Sequence, residues 1–278
     1  MNIIKKIDWY ADYIVHWRPL DMCNYDCSYC SPSNHRSIIK KNIVIVDDLI
    51  AAASNIRNNI PADKTVLVYV TGGEPFLIPK VHQWFNFMSD NDFKVGVFTN
   101  GSLPISQYMK CKNSFKNINM EISFHPESPL YDASTNTVNP TFASSRNLEH
   151  YLQTIDDGSL GYFSTTELKQ VKDNNHSTPE YLNVTVDGIE SNASTIVRNN
   201  QNRFKGWKCS VTNKKIVIQA NGNVQYGICN NTGSIGNIFN PNLKLFKDEF
   251  TVCNQQECHT IDEVMITKYK DNDTNVYK

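Results

Sequence analysis

The stretch Cys23-Asn24-Tyr25-Asp26-Cys27-Ser28-Tyr29-Cys30 constrains this chain more than any other. Three thiols fall within eight residues, spaced C-x3-C-x2-C. A loop this tight wraps three sulfurs around one metal centre and supplies no fourth. Iron–sulfur clusters are held by cysteine thiolates, and three of them suit a 4Fe–4S cube whose remaining iron stays open to a small molecule. Two other readings are compatible with the spacing. One is a zinc site completed by His35; the other is three cysteines buried as small apolar groups.

Composition decides which settings are open. The chain has 278 residues, 40 % of them hydrophobic, enough for one large domain and a small one. The formal net charge is -1, so nothing demands a nucleic-acid partner or an anionic membrane surface. No apolar run approaches the roughly 20 residues of a membrane span, and the start, Met1 to Asp8, has no apolar signal core. A cytoplasmic protein is expected. In that compartment the 8 cysteines, clustered as they are, point to metal rather than to disulfides.

The chain alternates strand and helix, which predicts a parallel α/β sheet. Tyr13 to Trp17 reads as a first strand leading into the cysteine loop, and Asp47 to Asn58 as a helix. Thr65 to Val70 is a continuous β-branched run of the kind buried on both faces. It leads into Thr71-Gly72-Gly73-Glu74-Pro75, where two glycines let backbone approach a ligand and Glu74 offers a carboxylate to a cation. Val81 to Ser89 reads as a helix, and Phe93 to Thr99 as a strand ending in Asn100-Gly101. Met120 to His125 is a further strand on which Ser123 and His125 share a face. Cys111 lies between elements and reads as buried or idle. Helices are expected at Thr141 to Ile155 and Thr165 to Lys172, and a strand at Tyr181 to Val186.

A second cysteine group follows: Cys209, Cys229, Cys253 and Cys258. Lys215 to Ile228 between the first two reads as a hairpin turning at Asn221-Gly222. Four thiolates close either a zinc site or a fully ligated iron–sulfur cluster, and His259 beside Cys258 could replace one of them. The tail after Met265 is polar and expected to fray.

The C-x3-C-x2-C loop, with Tyr29 before its last cysteine, and Gly72-Gly73-Glu74-Pro75 about 40 residues on together resemble the radical S-adenosylmethionine (radical SAM) superfamily. The second cysteine group resembles the short twitch form of the SPASM auxiliary-cluster domain. The resemblance implies a partial (β/α)6 TIM-like barrel over 1–204, a hairpin-containing auxiliary domain over 205–262 and a polar tail over 263–278. It implies a SAM-binding 4Fe–4S cluster on Cys23, Cys27 and Cys30. A second 4Fe–4S cluster, or zinc, would sit on Cys209, Cys229, Cys253 and Cys258. SAM would lie against Tyr29, Gly72, Gly73, Glu74, Pro75, Thr99, Asn100 and Ser123, and His125 is the one candidate acid–base residue. Implied too are SAM cleavage to a 5′-deoxyadenosyl radical and hydrogen abstraction, on a peptide or protein side chain or on a small polar metabolite such as a sugar or nucleotide. The reductant would be a flavodoxin or ferredoxin. A metal module without turnover is the reading from another class, and the intact Gly-Gly-Glu-Pro speaks against it.

Overall fold

The structure, a computed structural model, describes residues 3–6, 11–25, 44–111, 118–123, 131–132, 137–138, 163–166, 183–230, 232–258 and 260–270. The expectations placed on Cys27, Tyr29, Cys30, His35, His125, Thr141 to Ile155 and His259 lie outside them. The described strands, in chain order, are β1 Ile3–Lys6, β2 Tyr13–Trp17, β3 Val66–Val70, β4 Phe93–Thr99, β5 Ile118–Ser123, β6 Tyr131–Asp132, β7 Thr137–Val138 and β8 Phe163–Thr166. They continue as β9 Asn183–Val186, β10 Ile189–Asn192, β11 Lys208–Cys209, β12 Lys215–Ile218, β13 Asn223–Tyr226, β14 Ser234–Asn237, β15 Thr251–Val252 and β16 Lys268–Tyr269.

The chain divides into two compact units. One comprises residues 15–172 and 218–222, the other 1–14, 173–217 and 223–278. The first, the parallel unit, is built on the order β2-β3-β4-β5-β8, with β3, β4, β5 and β8 mutually parallel. Four of the five residues of β3 are buried, which a parallel strand covered on both faces requires. Two helices, α1 Val46–Asn58 and α2 Val81–Asp90, carry the same apolar spacing. Leu49, Ala52, Ala53 and Ile56 recur at i, i+3, i+4, i+7, as do Val81, Trp84, Phe85 and Met88, and all are buried. Trp84 meets Trp17 edge-on with ring centroids 4.8 Å apart. Each large side chain so buried contributes roughly 1.5–3 kcal/mol.

The register aligns strand ends. Val70 pairs with Val97, Thr99 with Ile122, and Ser123 with Thr166. The C-terminal ends of β3, β4, β5 and β8 therefore lie along one edge of the sheet. That is the edge where parallel α/β folds place their chemistry. Thr165 and Thr166, read as the start of a helix, end β8 instead. β-Branched Thr suits a pleated strand, and pairing with Ile122 and Ser123 supplies the ladder.

The second, antiparallel unit holds a sheet of order β10-β9-β1-β16-β11-β15, every pair antiparallel. The strand read at Tyr181 to Val186 belongs here, as β9. Residues 266–270, read as a fraying tail, include β16 between β1 and β11. Ile266 and Lys268 are buried there. Phe204, Trp207, Val264 and Met265 form the core together with Cys253 and Cys258. β12, β13 and β14 are neighbours in order. The β12–β13 turn is centred on Ala220-Asn221, one residue earlier than expected: Gly222 N–H donates to Gln219 O at 2.8 Å. Gly222 then takes the left-handed conformation, φ 81°, the turn-plus-bulge solution for a slightly longer hairpin loop.

Candidate active site and candidate metal pocket

In the parallel unit, the segment after β3 runs alongside the segment after β2. Thr71 N–H donates to Trp17 O at 2.9 Å, Gly73 N–H to Leu20 O at 3.0 Å and Glu74 N–H to Met22 O at 2.9 Å. This closeness explains both glycines. A Cβ on Gly72 would sit 2.5 Å from Leu20 O, and one on Gly73 only 1.8 Å from Met22 O. The Gly-Gly-Glu turn is thus laid directly on the residues that lead into Cys23.

Glu74 is 1 % exposed. Its φ is extended and Pro75 follows, opening the single 3-10 turn Pro75–Leu77. Pro at a first helical position costs no backbone donor. The Glu74 carboxylate accepts from Phe76 N at 3.0 Å, Thr99 Oγ1 at 2.8 Å and Asn100 N at 2.7 Å. It therefore ties the turn after β3 to the end of β4. Burial pushes its carboxyl up from 4.5 to about 7, against the pull of the Asn100, Phe76 and Thr99 donors.

Thr99-Asn100-Gly101-Ser102 is a side-chain-supported turn. Asn100 Oδ1 accepts from Ser102 N at 3.0 Å, the local bond that suits Asn to turns, and Gly101 takes φ 65°. The turn presents Asn100 Nδ2 to Asn24 Oδ1 at 2.9 Å and to Cys23 Sγ at 3.6 Å. Asn24 Nδ2 in turn donates to Ser102 Oγ at 2.7 Å. Tyr25 N donates to Cys23 Sγ at 3.4 Å. The Cys23 sulfur thus lies against two N–H donors and, at 4.0 Å, the Asn24 amide oxygen.

The structure brings together Cys23, Gly72, Gly73, Glu74, Pro75, Thr99 and Asn100. Ser123 ends β5 at the same sheet edge. Sequence reading missed Asn24, Ser102 and Tyr108. Asn24 sits inside the cysteine loop and Ser102 just beyond Asn-Gly, so a polar side chain next to a motif was the available signal for both. Tyr108 is buried, packs its ring tilted against Phe76 with centroids 4.4 Å apart and accepts from Leu103 N. Nothing local in the sequence signals it. Cys111 is buried, its thiol pushed up to about 12 by burial, as an idle thiol should be.

Glu74→Gln tests the tie. The amide nitrogen would face the Asn100 N–H, donor against donor, a loss of about 1–3 kcal/mol. The sign with pH follows from the raised carboxyl. Folded protein keeps a proton between about 4.5 and 7 that unfolded chain has lost. The acid form therefore stabilises fully below 4.5, and that contribution is lost as pH rises through about 7. Thermal unfolding should find the gap between wild type and Glu74→Gln widest near pH 4.5, narrowing by up to about 3 kcal/mol by pH 8. A gap independent of pH contradicts it.

In the antiparallel unit, Cys209, Cys229, Cys253 and Cys258 line one pocket with Glu263 and Lys268. Each cysteine is pinned through its backbone. Cys209 is in β11, opposite Thr251 and Lys268. Cys253 N–H donates to Trp207 O, and Cys258 N–H to Asn202 O, both at 2.8 Å. Cys229 N–H donates to Glu263 Oε1 at 2.8 Å. The described cysteines form no disulfide. As they stand, no three His, Cys, Asp or Glu side chains among the described residues are grouped tightly enough to hold an ion. The donor set is nonetheless the one a tetrathiolate group takes, since all four cysteines line the same pocket. Gly227 leaves the space beside Cys229 Sγ and Glu263 Oε1 that a Cβ would crowd. Burial pushes the Cys209 thiol up and the Cys258 thiol up to about 12, while Lys268 draws both back. A metal displaces such protons on binding.

The Radical SAM superfamily matches the chain over residues 17–158, more than half of it. The chain belongs to the radical SAM superfamily, a superfamily of enzymes. No curated protein sequence matches it. Solved structures similar to it include SuiB of Streptococcus suis, at 14 % identity and TM-score 0.47 over 85 % of this chain and 66 % of SuiB. SuiB bound to S-adenosylmethionine gives 14 % and 0.48 over the same shares. anSMEcpe with bound AdoMet gives 13 % and 0.45 over 86 % of this chain and 81 % of that one. The chain thus spans just under two thirds of SuiB.

Proposed function

We propose that this protein binds a 4Fe–4S cluster on Cys23, Cys27 and Cys30, cleaves SAM reductively, and abstracts a hydrogen atom from a peptide or protein side chain. When bound, the cluster would supply one electron to the sulfonium, yielding methionine and a 5′-deoxyadenosyl radical that takes a hydrogen atom from a substrate C–H to become 5′-deoxyadenosine. The observation that carries the reading is the contact between the Gly-Gly-Glu turn and the residues leading to Cys23. The backbone of Gly72 and Gly73 would hold the methionine amino group of SAM. Glu74 acts by holding the turn, since its two oxygens already take three donors. Asn100 and Asn24 orient Cys23. Ser123 and His125, at and beyond the end of β5, would complete the partial barrel's mouth. The auxiliary domain is the antiparallel unit's cysteine pocket. Four thiolates would leave a second cluster no open position, which suits it to accept an electron from the substrate radical as that radical is oxidised.

Anaerobic reconstitution, iron and sulfide counts, and a 5′-deoxyadenosine assay with SAM and dithionite test this. About eight irons per chain, two clusters of four, with SAM cleavage, is the expected result. About four irons with cleavage keeps the radical chemistry and removes the second cluster. No cleavage with the first cluster present overturns the reading.

A further inference from the structure

Two lysines are buried at the four-cysteine pocket, and buried carboxylate offsets only part of their charge. Lys215 is 0 % exposed in β12. Its ammonium has no hydrogen-bond acceptor among the described residues. The Asp262 carboxylate stands 3.8 Å away, too far for a hydrogen bond, and its side chain is 29 % exposed. Burying an ammonium-sized cation costs several kcal/mol, and one long ion pair to a part-exposed carboxylate offsets only part of it. Lys268, 1 % exposed, lines the pocket and donates to Glu263 O and Ile266 O, neutral acceptors that leave its charge in place.

Glu263 is the opposing charge, 2 % exposed. It stands three residues after Thr260, the N-cap of the turn Ile261–Met265. In a capping box such a Glu reaches back to the N-cap N–H. Here its Oε1 accepts from Cys229 N instead, and Oε2 is buried with no partner among the described residues. Among the fully buried side chains here, the ammoniums of Lys215 and of Lys268 in the pocket lining thus stand against one carboxylate, while Asp262 is part-exposed and Glu257, which also lines the pocket, is exposed. Four thiolates around a 4Fe–4S core of charge +2, or around Zn2+, carry net charge -2, to which that buried positive excess is opposite in sign.

We propose that Lys215 and Lys268 are the fixed counter-charges of the metal group held by Cys209, Cys229, Cys253 and Cys258. With Glu263 they set its reduction potential. The inference rests on the second-cluster reading above. A positive charge beside a cluster stabilises the more negative, reduced state; a carboxylate does the reverse.

The test uses the full chain with Cys23, Cys27 and Cys30 changed to Ala, so that only the second site takes iron. The potential is read by spectroscopic redox titration of the reconstituted protein. Lys215→Met should lower it by at least a tenfold change in the one-electron equilibrium, 59 mV. Glu263→Gln should raise it, and Lys215→Arg, which keeps the charge, should leave it near the parent value. Opposite shifts are what a merely structural role would not produce. Full iron loading with potentials unmoved, or moved the same way in Lys215→Met and Glu263→Gln, overturns the inference. A parent protein that takes up no iron overturns the second-cluster reading, and the inference with it.

Discussion

Cys23→Ala abolishes 5′-deoxyadenosine release and leaves the chain folded. The sulfur is one of only three proposed ligands, and two thiolates do not hold a 4Fe–4S cube. The iron count should fall from about eight per chain to about four, the remainder at the second site. Stability should change little. The variant forfeits two N–H···S bonds, from Tyr25 N and Asn100 Nδ2, each worth about 1 kcal/mol at most. The measurement pairs iron analysis with thermal unfolding followed by circular dichroism. Retained SAM cleavage would remove Cys23 from the site. If cleavage and fold were lost together, Cys23→Ser, closest in size, would separate the missing ligand from the missing fold.

Gly73→Ala should be the most damaging single methyl group in the parallel unit. Its Cβ would lie 1.8 Å from Met22 O and 2.3 Å from Met22 C. Both are backbone atoms, so no rotamer change relieves the clash. Either the turn or the segment before Cys23 must move, and the bonds Gly73 N–H to Leu20 O and Glu74 N–H to Met22 O break. Overpacking at about 1–3 kcal/mol and two bonds at about 1 kcal/mol each sum to roughly 3–5 kcal/mol. The melting temperature should drop by on the order of 10 °C. SAM affinity, measured by equilibrium dialysis on the reconstituted protein, should fall at least tenfold. Wild-type stability with wild-type SAM binding would mean that residues 20–22 and 71–74 are not packed together as described.

Local pattern made much of the parallel unit legible. The β-branched run before Thr71 gave β3, and helical spacing gave α1 and α2. Asn-Gly gave the turn after β4. What stayed hidden depends on contacts distant in sequence. Whether Glu74 turns toward a ligand or toward Thr99 and Asn100 is decided by where β4 ends. Thr165 and Thr166 join a strand because Ile122 and Ser123 stand beside them. The burial of Lys215 and Lys268 is not visible in the sequence, since lysine is almost never fully buried unless paired; only the packing reveals it. The Thr260-to-Glu263 spacing suggests an ordinary cap, and only the Cys229 contact shows the carboxylate committed elsewhere.

The pairing of β1 has a consequence for how the molecule is made. Ile3 and Ile4 pair with Tyr269 and Lys268, and Lys5 and Lys6 with Thr185 and Val184. On the ribosome, Ile3 and Ile4 emerge well before their partners, which are encoded far along the message. At about 5–20 residues per second, that wait is tens of seconds. The parallel unit needs only a short later segment and can collect most of its contacts while synthesis continues. The antiparallel sheet closes only once β16 has cleared the exit tunnel. The cysteine pocket, two of whose walls are β11 and Lys268 of that sheet, is therefore among the last parts of the protein to become ready for metal.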